Sequence, residues 1–272
     1  MPLHETKSDS LPALFVSHGP PTLPFETIPA RDFLSGLGAG MPRPRAIVAV
    51  SAHWETTNPA VTTRVKQTTL HDFYGFPDAL YQMRYDTPGS PELAQQVQDL
   101  LSKAGFPTDG DSERGLDHGV WTPLTLIYPA ADIPVIQLSI QTDLGPAHHL
   151  ALGRALAPLC DEGILILASG NITHNLGAWA RLRQLGQDGV PDWVTTFQDW
   201  VYEMVSAADI PALLDFMQAP MGRENHPTPE HFLPFFVALG AGIGDQNSAV
   251  LGRRLHHSVC YNVLAMDAYA FG

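Results

Sequence analysis

Short apolar runs that stop at polar, histidine-bearing turns constrain this chain more than any other feature. Leu14-Phe15-Val16, Ala46 to Val50, Ile133 to Ile140 and Ile164 to Ala168 are rich in β-formers and bounded by turn residues. Runs of this length and kind denote buried strands. Between them the spacing turns helical. Leu93, Val97, Leu100, Leu101 and Ala104 share one face, with Ser90 as N-cap, Pro91 at the first turn and Gly105 as the stop. Trp193, Phe197, Trp200, Val201 and Met204 predict a second helix, and a third is expected from the His149-Leu150 pair to Leu159. Strands that alternate with helices predict an α/β fold, an α/β/α layered sheet. No internal repeat or break in composition divides it. A single catalytic domain is therefore expected over residues 11–272, after a short polar tail over residues 1–10.

Composition narrows the function. A chain of 272 residues can bury a sizeable core without disulfide staples. Its net charge of −13 argues against nucleic acid, which needs a basic stripe. The longest apolar runs fall far short of the roughly 20 residues that span a membrane. Cys160 and Cys260 form no CxxC pair, so a zinc ribbon and a thioredoxin-type motif are unsupported. The opening MPLHETKSDS lacks the apolar stretch of a signal peptide, which makes the cytoplasm the expected compartment.

Twelve histidines prompt the question of where each falls. Three lie where predicted strands give way to polar turns: Val16-Ser17-His18-Gly19, Val50-Ser51-Ala52-His53-Trp54, and Ala168 to Asn175, which carries His174. Ligands of open α/β sheets bind outside the carboxyl ends of the strands. His18, His53 and His174 are thus expected to converge, although 35 (53 − 18) and 121 (174 − 53) residues separate them. Imidazole is the commonest protein ligand of transition metals. His231 is a fourth candidate, held in the proline-bracketed stretch Asn225-His226-Pro227-Thr228-Pro229-Glu230-His231-Phe232 ahead of a helix suggested by Pro234 to Leu239. A single histidine after a strand is equally a turn or cap residue. No HExxH or HxH pattern decides the matter.

Other candidates stay open on spacing alone. Glycines flank His118 in Gly115-Leu116-Asp117-His118-Gly119, which suits a close backbone approach to a pocket walled by Trp121. The same residues suit a helix entry capped by Asp117. His71-Asp72-Phe73-Tyr74-Gly75-Phe76-Pro77 reads as a pocket lid or, more simply, a packed surface loop. The doublets His148-His149 and His256-His257 offer at most one inward residue each, and His4 lies in the tail. Gly240-Ala241-Gly242-Ile243-Gly244 follows a helix and reads as a C-cap and loop, not a phosphate cradle.

SHGPP (Ser17 to Pro21), SAHW (Ser51 to Trp54), HDFYGFP (His71 to Pro77), LDHGVW (Leu116 to Trp121), ASGNITHNL (Ala168 to Leu176), HPTPEHFLP (His226 to Pro234) and the terminal DAYAFG occur in one order across nearly the whole chain. In these motifs the chain resembles the DOPA 4,5-dioxygenase type of aromatic ring-opening dioxygenases. These are class III extradiol enzymes related to the catalytic subunit of protocatechuate 4,5-dioxygenase. The resemblance implies a non-haem Fe(II) site at the carboxyl ends of the strands, with Zn(II) in some members as purified. It implies His18, His53 and His231 as metal ligands, and His174 beside the metal as acid/base or fourth ligand. Distant relatives use a glutamate in the triad, so Glu230 competes with His231. The implied reaction joins a catechol and O2. With L-DOPA, cleavage between C4 and C5 gives a seco acid that cyclises to betalamic acid. His118 would steady the bound oxygen or a substrate hydroxyl, and Tyr74, Trp121 and Tyr269 would wall the substrate pocket. A monomer or a homodimer is expected, with no nucleic-acid or membrane partner.

Two rival readings remain at this stage. A zinc hydrolase would use His174 to activate a metal-bound water. A non-enzymatic metal- or ligand-binding protein is the other, since a fold does not fix a function. His174 and His118 beside three ligand candidates speak against simple binding, which needs no acid/base. Metal identity and O2 dependence separate hydrolase from dioxygenase.

Overall fold

The computed structural model describes residues 10–244 and 251–272. Apart from Ser10, the predicted tail with His4 lies outside the described residues. The elements run β1 (Ala13–Ser17), α1 (Pro29–Leu37), β2 (Ala46–Glu55), β3 (Ala60–Thr62), α2 (Asp78–Tyr81), α3 (Pro91–Lys103) and β4 (Asp109–Asp111). Next come α4 (His118–Ile127), β5 (Val135–Ile140), α5 (Gly145–Asp161) and β6 (Ile164–Gly170). A helical stretch follows: α6 (Leu176–Gln184), α7 (Asp192–Ser206), α8 (Ile210–Leu214), α9 (Gly222–Asn225) and α10 (Leu233–Ile243). β7 (Gly252–His256), β8 (Val259–Cys260), β9 (Leu264–Ala265) and β10 (Ala268–Phe271) end the chain.

Eight strands form one sheet in the order β4-β3-β5-β2-β6-β1-β10-β7. The central β5, β2, β6 and β1 are parallel, and β10 runs antiparallel to β1. Every residue of β1, β5 and β6 is buried, as parallel strands covered on both faces require. On one face α10 packs on β1, β2 and β6 and against α5, and the Phe15 ring meets Phe235 edge-on. On the other face α4 covers β2 and β6 and touches α1. The expected α/β layers are present. Ser17 pairs with Gly170 and Ser51 with Ser169, so the carboxyl ends of β1 and β6 stand level, beside β2 at Ser51.

Local signals placed the four central strands and the helices α3, α5, α7 and α10. The Ser90 hydroxyl accepts from the Leu93 N–H and caps α3, whose first residue is Pro91. α5 begins one turn earlier than its apolar pattern indicates. Of the doublets, His149 turns inward: its Nδ1–H donates to the Gly145 carbonyl, and its Nε2 accepts from the Gln141 N–H. His256 stacks on Phe33 and His257 is exposed.

Two expectations fail for tertiary reasons. β2 does not stop at Val50 but continues to Glu55, because its pairing with β5 resumes at Ile140 after an irregularity. His53 therefore projects from a strand, not from a turn. Gly244 is the C-cap expected of Gly240 to Gly244, but the rest is not a loop: α10 runs on to Ile243. Its glycines answer to packing. A Cβ on Gly240 would lie 2.2 Å from the Leu150 carbonyl oxygen, and one on Gly153 would lie 2.2 Å from that of Val237. The two helix backbones meet where no side chain fits. Among the described residues no helix is long and apolar enough to cross a membrane.

Replacing Gly240 by Ala should therefore destabilise the fold by about 1–3 kcal/mol, because backbone cannot yield as a side-chain tip can. Gly36→Ala in α1, where a Cβ meets nothing within 4 Å, should be neutral or stabilising by about 0.5–1 kcal/mol. Urea unfolding of the two variants beside the parent checks this. Equal midpoints for Gly240→Ala and parent would refute the contact.

Candidate metal centre

Level strand ends bring the imidazoles together. His18 follows β1 directly, His53 lies near the end of β2, and His118 is the first residue of α4. His231 precedes α10, and its carbonyl accepts from the Asn171 N–H at 2.9 Å, which ties that turn to the end of β6. His174 follows β6, and its N–H donates to the Asn225 carbonyl at 3.0 Å. Ring centroids of His18 and His53 are 5.0 Å apart, those of His53 and His231 4.9 Å, and those of His53 and His118 4.0 Å. His174 stacks flat on His231 at 3.4 Å. Five histidines spread over more than 200 residues of sequence thus share one site at the carboxyl edge.

Hydrogen bonds at Nδ1 assign what each Nε2 can do. The Ser169 hydroxyl gives its proton to the Gly119 carbonyl, so its oxygen is the acceptor for the His18 Nδ1–H at 2.9 Å. Glu230 Oε1 accepts from the His231 Nδ1–H at 3.0 Å. His53 Nδ1 faces Asp72 Oδ2 at 3.8 Å. His18 and His231 are each left with an Nε2 lone pair. The His18 and His53 Nε2 atoms lie 3.1 Å apart, within hydrogen-bond distance, and that of His231 is buried without a partner. Ligand-capable atoms of the three residues fall within 4.8 Å of one another. This donor set fits a divalent transition metal, and carboxylate or hydroxyl partners at Nδ1 are the usual support of such ligands.

Burial first, then neighbouring histidines, holds these rings neutral. His18 and His231 are pushed well below the ordinary imidazole value, His53 to about 3 and His174 to about 4. Burial works to raise Asp72, but its hydrogen bond with His118 and the charge of that ring prevail and bring it to about 2.

A second network fixes the backbone of His53. Asp117 is fully buried, and its carboxylate accepts from the Ser51 hydroxyl at 2.7 Å, from Arg114 Nη2 at 3.1 Å and from Gln137 Nε2. The Ser51 oxygen also accepts from the His53 N–H, and Arg114 Nη2 donates to the His53 carbonyl. Burial, followed by the charge of Asp72, raises the Asp117 carboxyl above the usual range. Asp117 stands at the N-cap position of α4 but makes no side-chain capping bond. Both readings of His118 are thus partly right: it opens a helix, and its ring faces the histidine cluster. Gly119 is demanded by the protein itself, since a Cβ there would lie 2.3 Å from Ser51 Oγ.

The aromatic walls need correction. Tyr74 is 92 % exposed, on the outside of its loop. Tyr269 is fully buried among Phe235 and Phe271, because β10 turns it toward α10. Trp121 is also fully buried, its indole N–H donating to the Leu70 carbonyl, so it supports the loop from beneath instead of facing a substrate. The loop over residues 71–77 lies on the site: Phe73 approaches His118 at 5.8 Å, and Asp72 bonds to it. Ser169 carries no signal of its role in the sequence, and Asp117 reads there as a helix cap, which its side chain is not. For Asp72 the His–Asp start of the aromatic loop was the available signal.

Comparison with known proteins agrees with this geometry. Residues 12–271 match the family model of the catalytic LigB subunit of aromatic ring-opening dioxygenase. A Beta vulgaris protein named 4,5-DOPA dioxygenase extradiol is 42 % identical, over 94 % of this chain and 95 % of its own length. An Escherichia coli K12 protein of the same name is 42 % identical over 88 % of each chain. A crystal structure of an uncharacterized Escherichia coli K12 protein superposes with a TM-score of 0.77 at 36 % identity, covering 96 % of this chain and all of the other.

His18→Ala, His53→Ala and His231→Ala should each abolish metal retention, while His174→Ala should keep it. Glu230→Gln should weaken binding by about 10–100-fold without abolishing it. Elemental analysis and zinc titration of the five variants test the assignment. Full retention in His231→Ala with loss in Glu230→Gln would make Glu230 the ligand.

Proposed function

The chain belongs to the LigB family of aromatic ring-opening dioxygenases and is an extradiol ring-cleavage dioxygenase acting on a catechol and O2; on that premise we propose a ferrous enzyme that cleaves L-DOPA between C4 and C5. The observation carrying the metal assignment is the convergence of the ring nitrogens of His18, His53 and His231. Three protein ligands leave the open positions that a chelating catechol and O2 require. Ferrous iron, when bound there, couples the electrons of the catechol to O2. Zinc would occupy the same donors without redox chemistry, which fits Zn(II) as a substitute in purified protein.

This chain's own residues handle protons and shape. Both catechol hydroxyls must shed protons; one returns to the ring-opened product, and the other is released because the new carboxyl group is ionised at neutral pH. His174, neutral and stacked on His231, offers an acceptor beside the ligand set. His118 offers a second, its ring 4.0 Å from that of His53. Phe73 covers His118 and supplies an apolar surface for the substrate ring. The zinc-hydrolase and binding-only readings give way, since the family and the named relatives are dioxygenases.

With Fe(II) and L-DOPA the protein should consume one O2 per ring opened and develop the yellow absorption of a betalamic-acid-like product. An oxygen electrode coupled to absorbance decides it, and turnover unchanged under argon would refute the reaction. His174→Ala should lower kcat by about 10²–10⁴-fold, the usual contribution of a positioned acid/base. Unaltered kcat in that variant would remove His174 from the proton path.

A further inference from the structure

One carboxylate holds His118 at two points. Asp72 Oδ1 accepts from the His118 backbone N–H at 2.9 Å, and both carboxylate oxygens stand 3.0 Å from the ring Nδ1. The segment that delivers Asp72 is tied to the same helix: the Leu70 N–H donates to the Leu116 carbonyl, and the Trp121 indole N–H donates to the Leu70 carbonyl. Asp72 thus reaches α4 across 46 residues of sequence on a segment α4 itself anchors. Its side chain is only 17 % exposed.

A cap alone does not account for this geometry. An Asp that merely capped α4 would satisfy the free N–H and turn its second oxygen to water. Here both oxygens are directed at the imidazole. An ionised carboxylate is an acceptor only, so the ring must present Nδ1–H to it, and Nε2 is the nitrogen through which the ring can take up a proton. The tautomer of His118 is therefore set from outside its own helix.

We propose that Asp72 is a positioning residue for ring cleavage: it locks His118 as the Nδ1–H tautomer, with Nε2 directed away from the carboxylate to receive a substrate hydroxyl proton. This rests on the reading of His118 as an acid/base at the site. It also changes the expected role of that histidine, which meets the substrate through Nε2 as a proton acceptor and not as a donor to bound oxygen.

Asp72→Asn separates the two functions, because Asn caps a helix about as well as Asp. Its amide oxygen can keep the backbone N–H, while its NH2 group turned to Nδ1 favours the opposite tautomer. Nitrogen-15 spectra of the histidine rings in the zinc-loaded, diamagnetic protein should show His118 with Nδ1–H in the parent and with Nε2–H in Asp72→Asn. With iron, L-DOPA and O2, Asp72→Asn should lose about 10²-fold or more in kcat, with metal content and KM nearly unchanged. In a His118→Phe background the same substitution should cost no further activity.

An unchanged His118 tautomer in Asp72→Asn overturns the proposal. So does a loss that multiplies with that of His118→Phe. Lost metal would assign Asp72 to His53, whose Nδ1 lies 3.8 Å from Oδ2, and would also overturn it. Full activity of His118→Phe would remove His118 from the reaction and the proposal with it. The first three outcomes leave His118 in place, which tells the two failures apart.

Discussion

Imidazole nitrogens turned on one point are the constraint to which the surrounding structure answers. His18 and His53 bring their Nε2 atoms to 3.1 Å, and the His231 Nε2 is buried without a partner. Two of the rings are fixed from behind, His18 Nδ1 on Ser169 and His231 Nδ1 on Glu230, while Asp72 stands 3.8 Å from His53 Nδ1. Ser169 can accept only because its own proton goes to Gly119. A metal site is therefore specified as much by acceptors behind the rings as by the rings themselves.

The parallel sheet supplies the alignment. Pairing of Ser51 with Ser169 and of Ser17 with Gly170 sets the ends of β1 and β6 level, beside β2 at Ser51, so histidines just beyond these residues meet without long loops. Helix α4 meets this edge head-on. Its N-terminus joins the end of β2 through Ser51 and Asp117, the end of β6 through Ser169, and the aromatic loop through Asp72. Asp117 cannot cap the helix because Ser51, Arg114 and Gln137 already take up its carboxylate. That carboxylate is buried with several donors, the condition under which buried charge is tolerated. Removing one partner of such a group typically costs several kcal/mol. Glycine at 119 belongs to the same junction, since the helix backbone must come within reach of Ser51 and Ser169.

Support on the other face is of a different kind. α10 is apolar around its whole circumference, as suits a helix enclosed by sheet and α5. It presses on β1, β2 and β6, the strands whose ends carry the histidines. Contact of backbone with backbone at Gly153 and Gly240 leaves little room for the two helices to shift. Positions of His18, His53 and His231 are thereby set by rigid elements or by turns bonded to them, which is what a metal site needs.

The four central strands, four of the helices and four of the five site histidines could be located from local pattern, because apolar period, capping residues and turn chemistry act over a few residues. Ser90 with Pro91 announced α3, and His18 and His174 declared themselves by standing where apolar runs end. His118 was visible as a candidate, though its two readings could not be separated. Tyr74 and Tyr269 misled because a residue beside a motif carries no sign of which way its ring turns. Tyr74 points to water and Tyr269 into the core. Glu230, a rival ligand in the sequence, stands in the structure 3.0 Å from His231 Nδ1. What the sequence determined by itself is the architecture and the set of imidazoles gathered at one sheet edge. What only the tertiary structure decided is which nitrogen of each ring is free, because that depends on Nδ1 partners such as Ser169 and Asp72, 151 and 46 residues away from the rings they hold. Hydrogen bonds between residues so far apart in the chain leave no periodic trace in it.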